Sequence, residues 1–434
     1  MPCQRLTSAR NAPFLSTRSL ACRAVLFVFT LSHPQARGDQ AISADSFVDT
    51  AGVNVHLSFW DTPYRTNFPG VLSALQGLGV RHVRDGLYNY GADAGAYYYQ
   101  QHDSLAGVGI STIYSVPINT PASLVVAYPD LVTDFEGYEG PNEYDLSGDP
   151  DWASNLTVYQ TLLYQTVRYN PTTAMYPVLG PSLVNSTSWP QVSSLAAYMD
   201  FGNLHNYYAG YNPGSTTSYG IPTAIQNLQA GWGSVPIITT ETGYIYQNYM
   251  SIADDIGGTY MPRVLLEQYL NGILRTYDYE LVDIQSDHTQ YGLLTADLTP
   301  RPAYTAMANL LNLLSDPGAV FALTSLDFTL NGDTTNVNHL LMQKRDGSFW
   351  LALWIESQDY DQVNQLYLSV PNQPITLSVP AFTSAPTVYQ FDSSGNITTS
   401  SLPEGSSFPL SVSPNVMIVQ IIPPATPLSP SPAE

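Results

Sequence analysis

The stretch "LVTDFEGYEGPNEYD", residues 131–145, places an Asn-Glu pair directly after a strand-like segment. The first part of this stretch is typical of a buried strand, and Gly140-Pro141 is a turn signal that ends it. Asn142 and Glu143 therefore follow the carboxyl end of the predicted strand. Only 11% of the 434 residues are charged, well below the usual quarter, so a carboxylate at this position calls for an explanation.

Short apolar runs alternate with amphipathic stretches on both sides of this segment, up to about residue 316. The runs that we predict as strands are "AGVNVHLSF", "VRHVRDG", "ISTIYSVP", the opening stretch itself, "YPVLGPSL", "DFGNLHNYY", "VPIITTETGY" and "ELVDIQSDH". Helical stretches separate them, among them "MPRVLLEQYLNGILRTYDY" before the eighth strand. Eight such units in roughly 270 residues predict an α/β fold, a (β/α)8 TIM barrel. A doubly wound sheet is the alternative, although no Gly-rich phosphate loop follows the first strand.

Helical periodicity disappears from about residue 318. Strand-like runs such as "SFWLALWIES" and "NVMIVQIIP" are then separated by the turn signals "NGD", "RDGS", "PNQP" and "SSGN". This pattern predicts a C-terminal antiparallel β-sandwich at residues 318–424, after a catalytic barrel at residues 41–317. The Pro-rich tail at residues 425–434 is predicted to be disordered.

The first 40 residues are predicted to be a signal peptide. Several arginines precede the apolar run "AVLFVFTL", residues 24–31, which is too short to span a bilayer. We therefore expect a secreted or periplasmic protein. Cys3 and Cys22 both lie in this leader, so the mature chain would contain no disulfide and no reactive thiol.

The balance of charge is strongly acidic, with 14 Lys and Arg against 35 Asp and Glu and a net charge of −21. No basic patch is available for phosphates, which argues against nucleic acid and anionic membrane surfaces as partners. No further long apolar run predicts membrane insertion. The abundant tyrosines and uncharged polar residues suit a neutral, hydroxyl-rich ligand. The sequence leaves the oligomeric state open.

Reactive groups of a barrel of this kind lie at the carboxyl ends of its strands. The polar or aromatic residues that we place there are His56, Trp60, Arg84, Asn142, Glu143, His205, Tyr207, Glu241, Gln285, Asp287 and His288. Glu143 and Glu241 can face each other across the barrel mouth, because they end the fourth and seventh strands. Such a pair suits glycoside hydrolysis, in which one carboxyl group is protonated and the other ionised. Arg84 would favour the ionised form of Glu241.

Four motifs in this chain match one known family. "GPNEYD" and "PIITTETGY" carry the two glutamates, while "HVRDG" and "HNY" carry the arginine and the His-x-Tyr. Over residues 46–316 the chain resembles the retaining glycoside hydrolases of clan A, and the C-terminal region resembles an accessory β-domain of such enzymes.

This resemblance implies that Glu143 is the acid/base and Glu241 the nucleophile. Arg84, Asn142, His205 and Tyr207 would position the sugar and the nucleophile, with no cofactor and with an oligo- or polysaccharide as substrate. The clan often has a tryptophan platform after strand eight, which "DIQSDHTQYG" lacks. We therefore expect stacking from Tyr291 or Trp60, with His56 as a further sugar contact.

Other interpretations of the same residues remain open. Glu143 could be a solvated loop carboxylate, Arg84 could pair with Asp85, and His205 could be a buried core histidine. The spacing of His56, Asp287 and His288 matches no compact ligand motif, so we predict no metal site. Tyr88, Tyr90, Tyr208 and Tyr211 are further candidates for stacking on sugar rings. A non-catalytic carbohydrate-binding protein and a transglycosylase are the alternative functions.

Overall fold

A computed structural model of the chain describes residues 39–90, 96–248, 250–284, 290–379 and 385–423. The leader up to residue 38 and the tail from residue 424 lie outside these ranges, as do Gln285, Asp287 and His288. The predictions made for those residues therefore remain predictions. Among the described residues, no helix combines the length and the apolar character needed to cross a bilayer.

Eight parallel strands form one sheet in which each strand pairs with its neighbour along the chain. In chain order the barrel strands are Ala51–Asn54, His82–Gly86, Ser111–Ser115, Phe135–Glu139, Val178–Leu179, Gly202–Tyr207, Ile237–Gly243 and Ile273–Asp278. We number them one to eight. A parallel bridge between Leu179 and Phe201 joins strands five and six. The sheet thus closes into the predicted barrel, and all strand ends that carry polar groups meet at one mouth.

Helices pack around this barrel. The α-helices are Ala44–Val48, Pro63–Thr66, Phe68–Leu78, Tyr97–Gly107, Ala122–Ala127, Trp152–Tyr169, Ile221–Trp232, Asp254–Leu270 and Pro302–Leu314, and the 3₁₀ segments are Tyr128–Asp130, Tyr144–Leu146 and Trp189–Ala197. Helix Phe68–Leu78 illustrates the local rules. The Asn67 side chain accepts from the N–H of Gly70, and Gly79 ends the helix with a φ of +81°.

The eighth strand lies earlier in the sequence than predicted. The pattern suggested residues 280–288 and assigned "ILRTYDY" to the preceding helix, but that helix ends at Leu270 and the strand is Ile273–Asp278. Gly272 makes the break, because its φ of +80° is a conformation that glycine adopts without strain. The alternation in "ILRTYD" then fits a strand, so the residue that follows strand eight is Tyr279.

The C-terminal region consists of antiparallel sheets, as predicted. Its strands are Ser325–Leu326, Thr329–Gly332, Val337–Gln343, Phe349–Ile355, Tyr360–Asp361, Leu366–Tyr367, Gln373–Ser378, Thr387–Phe391, Ile397–Ser401, Ser407–Val412 and Met417–Ile421. Apolar side chains such as Leu351, Leu377 and Phe408 form a core between a three-stranded and a six-stranded sheet. The short strands Asp39–Gln40 and Ile42–Ser43 complete these sheets from the other end of the chain.

Barrel and sandwich share one continuous core. Trp350 and Trp354 of the sandwich belong to the same buried cluster as Tyr260 and Leu266 of the barrel helix Asp254–Leu270. Arg263 of that helix is fully buried and donates hydrogen bonds to sandwich carboxylates. The two parts therefore pack as one body, which fixes the loops around the barrel mouth.

Candidate active site

Strand seven brings Glu241 to the barrel mouth. All seven residues of Ile237–Gly243 are buried, and Glu241 is 7% exposed. The register against strand six shifts between Leu204 and His205, which leaves Thr240 as an extra residue in strand seven. Such a bulge turns the following side chains, and here it places Glu241 opposite His205.

Both carboxylate oxygens of Glu241 accept strong hydrogen bonds. Arg84 Nη1 lies 2.5 Å from Oε1, and the Tyr207 hydroxyl donates to Oε2 over 2.7 Å. His205 Nδ1 is 3.4 Å from Oε2. Burial alone would raise the pKa of Glu241, but His205, Arg84 and Tyr207 together hold it below its ordinary value. Glu241 is therefore an ionised, oriented carboxylate near neutral pH.

Glu143 follows strand four through the Gly140-Pro141 turn. Its backbone has a φ of +43° and its N–H donates to Ser182 Oγ over 3.0 Å. A left-handed backbone is rare for a glutamate and costs on the order of 1–3 kcal/mol. The surrounding loops maintain it, and the side chain remains 26% exposed to solvent at the mouth. Both carboxylates are thus at the mouth, one buried and one partly accessible.

Glycine at position 140 is required by the close approach of the next loop. A Cβ atom on Gly140 would lie 2.7 Å from the backbone nitrogen of Pro181. No ordinary side chain fits this space, so the loops after strands four and five stay in contact. Ser182, which binds the Glu143 backbone, belongs to that second loop.

His205 connects the two glutamates. Its Nδ1 lies 2.7 Å from Glu143 Oε1, and its Nε2 lies 3.1 Å from Thr240 Oγ1. The single hydroxyl proton of Thr240 is directed to Asn203 Oδ1 over 2.6 Å. Thr240 therefore accepts from His205 Nε2–H, which leaves His205 Nδ1 facing Glu143 Oε1.

The two carboxyl groups are close to each other. One oxygen of Glu143, one oxygen of Glu241 and one ring nitrogen of His205 all lie within 4.8 Å of one another. Retaining glycosidases hold their two carboxyl groups about 5–5.5 Å apart, and inverting enzymes about 6.5–9.5 Å.

A third carboxylate, Glu139, was missed from the sequence. It ends strand four, is fully buried, and accepts from Arg84 Nε over 2.5 Å and from Nη2 over 2.8 Å. Asn203 Nδ2 donates to it over 3.0 Å. The spacing Glu-x-x-x-Glu was the available signal, because strand alternation puts Glu139 on the face opposite the outward-packed Tyr138. Glu139 holds the guanidinium of Arg84 in position for Glu241.

Asp85 belongs to a separate buried network. Its Oδ2 lies 3.5 Å from His102 Nε2, and its oxygens also accept from the backbone of Leu57 and Gly86. His102 is hydrogen-bonded to Asp134 through Nδ1 at 2.8 Å. Burial would lower the pKa of His102, but Asp134 and Asp85 raise it to about 9. The pairs are therefore Arg84 with Glu139 and Glu241, and His102 with Asp85 and Asp134.

A cavity of about 400 Å³ opens beside Glu241 at the barrel mouth. The predicted residues that line it are His56, Arg84, Tyr88, Asn142 and Glu241, and Asn54, Phe59, Tyr144 and Tyr279 are further members of its wall. Asn142 is exposed and accepts from Arg84 Nη2 over 2.7 Å, so its amide nitrogen is free to face a ligand. The volume suits a ligand of one to two sugar rings.

Tyr279 supplies an aromatic ring after strand eight. It lines the catalytic cavity, whereas Tyr291 packs edge-on against Tyr207 and Tyr279 with ring centroids 5.5 and 5.4 Å apart and lines a neighbouring cavity. Trp60 is 60% exposed and lines a third cavity with Tyr90. The structure thus places Tyr291 and Trp60 outside the catalytic cavity. Tyr279 was overlooked because strand eight was assigned too late in the sequence.

The other aromatic candidates also differ in whether they line the catalytic cavity. Tyr88 lines the catalytic cavity, and Tyr211 stacks on Tyr219 with centroids 6.0 Å apart. Tyr208 is fully buried and accepts from Gln268 over 2.9 Å. The prediction that Tyr208 stacks on sugar is therefore wrong, since strand alternation turns it away from the mouth.

Glu143, His205 and Glu241 form a cluster whose spacing could hold a metal ion. The surroundings oppose a cation there. Arg84 already donates to one oxygen of Glu241 and Tyr207 to the other, so a divalent ion would compete with a buried positive charge. The donor set fits proton transfer better than metal binding.

Comparisons with known proteins agree on the fold. No protein-family model matches the sequence, and no curated protein matches it. A family 39 glycoside hydrolase from Bacteroides cellulosilyticus WH2 superposes with a TM-score of 0.59 at 14% identity, over 88% of this chain and 82% of that chain. A glucosidase from Croceicoccus marinus gives 0.59 at 12% identity, over 88% and 97%.

A bacterial orthologue of human α-L-iduronidase gives a TM-score of 0.55 at 11% identity, over 91% of this chain and 84% of that chain. Identities this low establish similarity of fold. These neighbours are glycoside hydrolases, so the predicted resemblance to TIM-barrel glycosidases is confirmed at the level of the fold, and the barrel-plus-sandwich architecture is confirmed with it.

Proposed function

We propose that this protein is a retaining glycoside hydrolase that cleaves β-glycosidic bonds of an oligo- or polysaccharide. The observation that carries the proposal is the pair Glu143 and Glu241, because one oxygen of each lies within 4.8 Å of the other and the two groups have different hydrogen-bond partners. The glycosidase fold of the structural neighbours supports it. Export of the protein remains a prediction from the first 40 residues.

In the first step, the ionised Glu241 attacks the anomeric carbon of the sugar in the catalytic cavity. The bond from that carbon to the bridging oxygen breaks, and Glu143 transfers its proton to the leaving oxygen. The product is a glycosyl ester on Glu241. Arg84 and Tyr207 hold Glu241 for the attack, because each binds one of its oxygens.

In the second step, Glu143 acts as a base. It takes a proton from a water molecule, whose oxygen attacks the anomeric carbon and releases Glu241. Two inversions at one carbon give overall retention. His205, whose Nδ1 lies 2.7 Å from Glu143 Oε1, stabilises Glu143 in both roles by accepting or donating at Nδ1.

A panel of aryl β-glycosides together with β-glucan, xylan and mannan tests the proposal. We expect turnover of at least one member, which the variant Glu241→Ala abolishes while binding remains measurable by calorimetry. The variant Glu143→Gln should lose about 10²–10⁴-fold of its rate, and less with a good leaving group that needs no proton. Binding without turnover by the unmodified protein would instead indicate a carbohydrate-binding protein. Transfer to an added sugar in preference to water would indicate a transglycosylase.

A further inference from the structure

The described part of the chain has few cationic side chains. Nine Lys and Arg residues lie beyond residue 38, and all nine fall in the described parts of the chain. Arg84 is the one among them that lines the catalytic cavity.

The other eight are engaged elsewhere. Six form ion pairs, namely Arg81 with Asp45, Arg168 with Asp200, Arg263 with Glu356, Arg275 with Glu136, Arg301 with Asp283 and Arg345 with Asp316. Lys344 donates to the carbonyl of Leu313, and the guanidinium of Arg65 lies over the rings of Trp60 and Tyr97, in a separate cavity.

Arg84 has no donor left for a ligand. A guanidinium carries five N–H groups, and five hydrogen bonds leave this one: two to Glu139 and one each to Asn54, Asn142 and Glu241. Its positive charge is shared by two buried carboxylates, Glu139 and Glu241. To bind this guanidinium, an anionic ligand would have to break one of these five hydrogen bonds, which orient the residues of the site.

The histidine that lines the cavity also faces a buried carboxylate. His56 Nε2 lies 3.1 Å from Glu280 Oε2, and Glu280 is 1% exposed. The remaining acidic group of the wall is Asp85, which faces the buried His102. Arg84 faces Glu139 and Glu241, and His102 faces Asp85 and Asp134. Among the described residues, carboxylates therefore outnumber cationic groups around the cavity.

We infer that the catalytic cavity accepts an uncharged sugar and excludes uronic acids and sulfated or phosphorylated sugars. The inference rests on the proposed function and specifies its substrate class. A uronate carboxylate in this cavity would lose its hydration and find acidic neighbours, and no Lys or Arg among the described residues is available to replace the water. A neutral sugar can replace its hydrogen bonds to water, since its hydroxyl groups can pair with Asn142, with the carboxylates and with backbone groups.

Matched aryl glycosides that differ at C6 alone test the inference. The pairs are 4-nitrophenyl β-glucoside with β-glucuronide, and 4-nitrophenyl β-galactoside with β-galacturonide. Rates are measured near neutral pH at about 1 M NaCl, where a Debye length of about 3 Å screens the net charge of the whole protein. We expect kcat/KM of the neutral member to exceed that of its uronide by more than about 100-fold.

The outcomes separate this inference from the proposed function. Equal or preferred turnover of a uronide overturns the inference and leaves the hydrolase intact. Turnover of no glycoside counts against the hydrolase, and calorimetry on the unmodified protein then decides the inference. Binding of neutral β-linked oligosaccharides in preference to oligogalacturonate supports it, and the reverse preference overturns it.

Discussion

At the scale of single residues, the site is built on a shared network of charge around Arg84. The guanidinium binds Glu139 on one side and Glu241 on the other, and the hydroxyl of Tyr207 completes the set of donors to Glu241. Because Glu241 is buried, these contacts decide its protonation. A buried carboxylate without them would hold a proton at neutral pH and could not act as a nucleophile.

The variant Tyr207→Phe tests this balance. It removes a hydrogen bond to the ionised form of Glu241, so the pKa of Glu241 rises. A bond to a charged group contributes about 1.5–3 kcal/mol, and one pKa unit corresponds to about 1.4 kcal/mol. The acid limb of the kcat/KM profile should therefore move to higher pH by about 1–2 units.

The control for this experiment is Tyr169→Phe, which makes the same chemical change at a side chain that is 81% exposed. Its pH profile should superimpose on that of the unmodified enzyme. An acid limb that stays in place in Tyr207→Phe would show that this hydroxyl does not set the protonation of Glu241.

At the scale of elements, the loops after strands four and five determine where Glu143 lies. Gly140 allows these loops to touch, and the Ser182 hydroxyl accepts from the N–H of Glu143. The positive φ of Glu143 is maintained by this contact rather than by the preference of the residue itself. The packing of these two loops thus positions the side chain of Glu143, the acid/base candidate.

The variant Gly140→Ala should move Glu143 without touching it. Its Cβ would lie 2.7 Å from Pro181 N, so the two loops must separate, and we expect a loss of roughly 100-fold in kcat/KM for an enzyme whose reacting groups shift by about 1 Å. Gly107→Ala is the control, because a Cβ at Gly107 meets nothing within 4 Å. Equal activities of the two variants would contradict this role for the loop contact.

The elements also show what the sequence could predict. The strand–helix alternation could be predicted because burial of one face gives each element a characteristic spacing of apolar residues. The two glutamates could then be placed at the ends of predicted strands. The eighth strand was misplaced, since "ILRTYD" continues an apolar helical pattern and a single glycine makes the break. Glu139 was missed because its partners, Arg84 and Asn203, lie far away along the sequence.

At the scale of the whole molecule, an acidic cluster lies where the barrel meets the sandwich. Arg263 and Glu267 belong to the barrel helix Asp254–Leu270, while Glu356 and Asp359 follow the sandwich strand Phe349–Ile355. Arg263 pairs with Glu356 and Asp359 at 2.8 Å each. Arg263 thus binds two of the three carboxylates, and burial together with the neighbouring Glu356 raises the pKa of the third, Glu267, to about 7.

This arrangement predicts a pH-dependent stability. Glu267 binds its proton more tightly in the folded chain than in the unfolded chain, whose ordinary value is 4.5. Its contribution to the free energy of unfolding is therefore present below pH 4.5 and is lost as the pH rises to about 7. Glu267→Gln has no such proton to lose, and its amide oxygen can still accept from Asn338 and Trp354.

Thermal unfolding at about pH 5 and about pH 8 measures the effect. The Tm of Glu267→Gln should exceed that of the unmodified protein at the higher pH by more than at the lower pH. Glu404→Gln, at an exposed position, is the control and should shift neither value. A Tm difference independent of pH would show that Glu267 does not titrate in this range.

The spacing of Glu143 and Glu241 within 4.8 Å of each other makes the stereochemistry of hydrolysis the most direct test of the whole account. Proton NMR can follow the anomeric signals of the sugar released from the best β-glycoside before mutarotation mixes them. We predict that the β-anomer appears first, because two successive displacements at the anomeric carbon, the first by Glu241 and the second by water, retain the configuration. First appearance of the α-anomer would mean direct attack by water and would contradict Glu241 as the nucleophile.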